Sequence, residues 1–135
     1  MWRYVQRTGA LYAPDGERAG VGYSGHGDGL NNPDEQSVKQ TGPLPCDDYT
    51  IGAAECVEVA GPHGKFVLRL TADHPRDDFG RDGFLMHGDR KDAEENPHQA
   101  SEGCIVQALV VRERVNASPD KRLRVVADLA AAVRT

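Results

Sequence analysis

A thiol and an imidazole stand 17 residues apart in the second half of this chain, each where a backbone element changes character. His87 closes the apolar run Phe84-Leu85-Met86, and Cys104 follows a glycine in Ser101-Glu102-Gly103-Cys104-Ile105-Val106. Brought together, the two make a nucleophile and its base. A thiol of ordinary pKa, about 8.5, is only about 3% thiolate at pH 7. Ile105, Val106, Leu109, Val110, Arg112 and Val115 fit the apolar face of a short amphipathic helix after Cys104. A helix N-terminus at the sulfur, with an imidazolium nearby, is therefore expected to lower the thiol pKa. Gly103 lets the backbone come close, so the N–H groups of Gly103 and Cys104 are candidate donors to a developing oxyanion.

Competing uses of the same residues are weaker. His87, Asp89, His98 and Cys104 are zinc-binding types, but they lack a compact ligand spacing, so no metal and no cofactor is expected. Taken alone, a free cysteine is a small core residue and a strand-end histidine is a solvated surface group. Cys46 and Cys56 complete an odd set of three. The stretch between them can turn a hairpin, and whether they bridge is open at this point. His26, His63, His74 and His98 fall in Gly/Pro-rich loops and read as solvated.

The elements that must hold this pair are short. Residues 2–8 alternate as a half-buried strand, and 18–24 return after the turn Pro14-Asp15-Gly16-Glu17. A hairpin is expected from 56–60 to 65–71 around Gly61-Pro62-His63-Gly64, with Phe66, Leu68 and Leu70 on the buried side. Residues 84–87 and 123–127 read as further strands, and the Ala-rich tail 128–134 as helical or frayed. Loops rich in Gly and Pro separate them. With 135 residues, 39% hydrophobic, the chain suits one domain, 1–135, with a real core rather than a disordered segment. The net charge of −5 with scattered basic residues excludes a nucleic-acid surface. No apolar run is long enough for a membrane span. The first residues, Met1-Trp2-Arg3-Tyr4-Val5, carry no apolar leader of the secretory kind.

His-Gly at 87–88 followed by Ser-x-Gly-Cys-Ile at 101–105 resembles the signature of the L,D-transpeptidase (YkuD-type) catalytic domain. Trp2-Arg3-Tyr4, Thr8-Gly9, Gly22-Tyr23-Ser24-Gly25, Asn31-Asn32-Pro33, Gly42-Pro43-Leu44-Pro45 and Tyr49-Thr50-Ile51-Gly52 resemble its small branch without a signal peptide, which includes type VI secretion effectors. The likeness covers roughly residues 2–127. Two positions depart from the usual pattern: Glu102 stands where the family has histidine, and Val106 where it has arginine.

The resemblance implies a mainly β, L,D-transpeptidase-like β-sandwich with a short helix after the catalytic cysteine. It makes Cys104 the nucleophile and His87 the base, with Ser101 or Gly88 holding the other ring nitrogen. Gly103 and Cys104 supply the oxyanion N–H groups, and Tyr23 and Ser24 lie near the substrate pocket. The implied substrate is a tetrapeptide stem of peptidoglycan, trimmed by L,D-carboxypeptidase chemistry or exchanged with a D-amino acid. The implied partners are a secretion apparatus and a cognate immunity protein, with synthesis in the cytoplasm and action in the target-cell periplasm. A house-keeping or phage-borne wall enzyme, and a non-catalytic peptidoglycan-binding domain of the same fold, are the alternatives.

Overall fold

The computed structural model describes residues 1–56, 66–90 and 93–129. Among these residues the strands are β1 (Trp2–Val5), β2 (Ala10–Tyr12), β3 (Arg18–Val21), β4 (Tyr23–Ser24), β5 (Asp48–Ile51), β6 (Leu68–Ala72), β7 (Leu85–His87), β8 (Ile105–Val106) and β9 (Arg122–Val126). One α-helix is present among the described residues, α1 (Leu109–Ala117). The strands form one sheet in the order β3-β2-β1-β9-β5-β6-β7-β8-β4.

That order dictates the shape. β3 and β4 lie at opposite edges, yet only Gly22 separates them in the chain. One residue spans at most about 3.6 Å, so the sheet has to curl until its edges nearly meet. The result is mainly β, as expected, and barrel-like. The two layers expected of a sandwich are opposite walls of this one sheet.

The core follows from period two. Trp2 and Tyr4, Tyr49 and Ile51, Leu68 and Leu70, and Leu123 and Val125 put i, i+2 pairs on one side of four neighbouring strands. Met86, Ile105 and two α1 residues, Val111 and Val115, join the same cluster. At roughly 1.5–3 kcal/mol per fully buried large apolar side chain, this face dominates the stability of the fold. β1 pairs in parallel with β9, Trp2 opposite Leu123, which sets the first and last strands side by side in the sheet.

Two expectations need correction. Ile105 and Val106 do not begin a helix: they form β8, parallel to β7 and antiparallel to β4. Both are β-branched and suit a pleated ladder, and the helix starts only at Leu109, once the chain has left the sheet. Nor does the stretch between Cys46 and Cys56 make a hairpin: it holds the extended β5, and all three cysteines are free thiols. The expected hairpin at 61–64, with His63, and most of the tail lie outside the described residues.

Candidate active site

The pairing of β7 with β8 sets His87 and Cys104 on neighbouring stretches of chain. Met86 pairs with Ile105 and His87 with Val106. One step back along the same ladder, Cys104 meets Leu85, whose N–H donates to Cys104 Sγ at 3.3 Å. Met86 and Ile105 point into the core, so Leu85, His87, Cys104 and Val106 belong to the opposite face by alternation. His87 then stands two residues along and one strand across from Cys104, roughly 8 Å between Cα atoms at a 3.3 Å rise and 4.8 Å strand spacing.

His87 is buried, and its Nδ1 lies 2.7 Å from the Gly88 carbonyl oxygen. A carbonyl only accepts, so Nδ1 carries the proton and the neutral ring has its lone pair on Nε2. Gly88 is thus the residue that orients the ring. Ser101, the other candidate, is spent elsewhere. Its buried hydroxyl donates to the Cys104 carbonyl (2.5 Å) and accepts from the N–H groups of Gly25 (2.8 Å) and Gly103 (3.1 Å). One donor and two acceptor sites are filled, and none remains for His87. The Gly103 N–H, expected at an oxyanion, is committed to Ser101, which leaves Cys104 N–H as the donor from the original pair.

Gly103 has to be glycine. Its φ is +127°, and a Cβ there would fall 2.4 Å from Arg81 Nη2. Gly22 is equally constrained: a Cβ would lie 1.7 Å from the Val106 carbonyl oxygen, where the two sheet edges converge.

Ser24 is fully buried. Its hydroxyl donates to the Gly103 carbonyl (3.2 Å) and accepts from Leu44 N–H (2.8 Å). It therefore braces the Cys104 turn from β4, and its burial and bonding leave it no exposed polar group, contrary to the expected substrate-binding role. Tyr23 does line a cleft. Its hydroxyl donates to Asp89 Oδ1 (2.7 Å) and accepts from Ala100 N–H (3.0 Å), and its ring meets His98 edge-on at 4.9 Å. Burial, then the Asp89 bond, hold the phenol protonated well above its usual range.

The cleft, of about 540 Å³, is lined by Tyr23, Gly88, Asp89, His98, Val106 and Arg112 among others. Cys104 and His87 do not line it; it begins beside them, at Val106 and Gly88. Asp89 and His98, weighed from the sequence only as metal-binding types, and Arg112, read only as part of a helix face, line this cleft. His26, read from the sequence as solvated, is instead partly buried, its Nδ1 lying 2.7 Å from the Ser101 carbonyl oxygen. Each is a lone polar residue in a loop or on a helix, with no local pattern to mark this place for it.

The electrostatics differ from the expectation of a lowered thiol pKa. Burial pushes Cys104 up to about 11, with Glu102 adding to the rise, while the Leu85 N–H and Arg81 act the other way. The helix N-terminus that would have favoured thiolate begins five residues later. Among the described residues no group of three or more His, Cys, Asp or Glu side chains is placed to hold a metal ion, and no helix is long and apolar enough to cross a membrane.

The family model of the Tlde1 domain matches residues 19–127, which include every strand from β4 to β9 and the whole of the site above. No curated protein matches the chain.

Proposed function

Because the chain belongs to the Tlde1 domain family, whose name denotes type VI secretion L,D-transpeptidase effectors, we propose that it is a cysteine acyl-transfer enzyme acting on peptidoglycan tetrapeptide stems. The observation that carries this reading is the β7–β8 register, which sets a histidine with its Nδ1 pinned by Gly88 next to the Cys104 turn. At rest the sulfur is a protonated thiol, since burial disfavours its thiolate. As sulfur attacks the diamino acid's own carbonyl carbon, in its peptide bond to the terminal D-alanine, the thiol proton passes to His87 Nε2. The carbonyl oxygen gains charge against the Cys104 N–H. The C–N bond then breaks, His87 returns the proton to the leaving amine, and D-alanine departs. Water completes hydrolysis by the same base, or a D-amino acid completes exchange.

The cleft beside the pair accommodates the stem, with Tyr23 and Asp89 as one wall. Stripping tetrapeptides removes donors that cross-linking enzymes need, which suits an antibacterial effector delivered by a secretion apparatus to a target periplasm and countered by an immunity protein. The test is mass spectrometry of purified muropeptides after incubation with the protein. Conversion of tetrapeptides to tripeptides, or to stems ending in an added D-amino acid, supports the reading. Unchanged muropeptides with folded protein sink it.

A further inference from the structure

Arg81 sits in the charged loop between β6 and β7, yet it is only 6% exposed. Its Nη1 donates to the carbonyls of Gln36 (2.6 Å) and Pro43 (2.7 Å), and its Nη2 to those of Gly42 (2.8 Å) and Glu102 (3.1 Å). The guanidinium lies 5.6 Å from the centroid of the Phe84 ring. It also packs against Gly103, the residue before the nucleophile, closely enough to forbid a Cβ there. One side chain therefore joins the 36–43 connector to the turn that carries Cys104.

The charge matters as much as the bonds. All four acceptors are neutral carbonyls, and no ion pair among the described residues includes Arg81. The titratable groups that face it are Tyr49, Cys104 and Asp78. A buried cation without a formal counter-charge is costly and lowers the energy of any anion formed beside it. The sulfur is the one of these groups that gains negative charge in the proposed chemistry, as its proton leaves.

We infer that Arg81 is a positioning residue of the site: it clamps the Glu102–Cys104 turn and supplies the positive charge against which the Cys104 thiolate forms. The inference rests on the reading of Cys104 as nucleophile.

The experiment measures iodoacetamide alkylation of Cys104 at pH 8, with Cys46→Ser and Cys56→Ser present so that a single thiol reacts. Parent, Arg81→Met and Arg81→Lys are compared, with melting curves for each. Loss of the charge raises the thiol pKa by about one unit, so Arg81→Met reacts about tenfold more slowly. Arg81→Lys keeps the charge and reacts within about threefold of the parent, half a unit, while both variants melt lower.

A clamp without an electrostatic role gives the opposite sign. Losing it loosens the turn, exposes the sulfur and leaves alkylation equal or faster, and that result in folded Arg81→Met overturns the inference. Should Arg81→Met not fold, Arg81→Lys decides: a rate within threefold of the parent at reduced melting temperature supports the inference, and a larger departure in either direction overturns it. Alkylation needs no wall substrate. Slowed alkylation with untouched muropeptides would therefore sink the enzymatic reading alone, and trimmed muropeptides with unslowed alkylation would sink only the role of Arg81.

Discussion

The thiol of Cys104 is held at about 11 by burial, so at pH 7 only on the order of one site in ten thousand carries a free thiolate. In the proposed mechanism, reactivity then depends on handing the proton to His87 during attack. Cys104→Ala is expected to abolish tetrapeptide trimming while the melting temperature moves by a few degrees at most, because a half-buried sulfur contributes little packing. Trimming by the alanine variant would remove Cys104 from the mechanism. His87→Ala should slow trimming by about 10²–10⁴, the usual worth of a positioned base. In the parent, rate falls on the acid side as the imidazole gains a proton and can no longer accept one; the alanine variant should lose that limb. Glu102 has the reverse effect on the sulfur, since its charge raises the thiol pKa. Glu102→Gln should therefore speed alkylation of Cys104 by about two- to threefold; a slower reaction would contradict the electrostatic description given above.

The turn from Ser101 to Cys104 is an element in its own right, held by one hydroxyl with three backbone partners. Removing that hydroxyl leaves buried donors unmatched at about 1–3 kcal/mol each. Ser101→Ala should melt several degrees lower and trim more slowly, with the acid limb of its pH–rate profile unmoved. A shifted limb would mean that Ser101 touches the proton path. Much at this scale was legible in the residues. The alternation at Leu68 and Leu70, the strand ending at His87 and the glycine before Cys104 all carry a local signal, and the structure uses each of them. What escaped was long-range. Ile105 and Val106 fit a helix by spacing and a strand by branching, and only pairing with β4 and β7 decides between them. Arg81 carries no mark in its charged loop, and Ser24 carries only the resemblance's mark of a pocket residue, not of a brace. Their parts arise from backbone groups 20 to 79 positions away, and no local pattern encodes such a distance.

Across the molecule, one acidic contact should govern stability against pH. Asp78 is fully buried, and its carboxyl shares a side-chain hydrogen bond with Asp47. Burial, and then neighbouring Asp47, push its pKa up to about 7. In the unfolded chain it titrates near 3.9. Between those values the folded state keeps a proton that the unfolded state has released, so this term favours folding at low pH and is lost as pH rises through about 7. Asp78→Asn cannot ionise and lacks the slope. Melting temperatures from pH 5 to 8 should fall more steeply in the parent than in Asp78→Asn, and parallel curves would show that Asp78 is not protonated in the fold.

The parallel contact of β1 with β9 also has a consequence in time. Trp2 finds its partner at Leu123, and at about 5–20 residues per second a ribosome needs roughly ten seconds to make the chain between them. Through that interval β1 has its hairpin neighbour β2 but lacks β9, the strand that links it to β5 and the rest of the sheet. The apolar side of residues 2–5 is therefore born exposed. Assembly of the sheet waits for the far end of the chain, which makes the nascent protein a natural client for chaperones until Arg122–Val126 arrives.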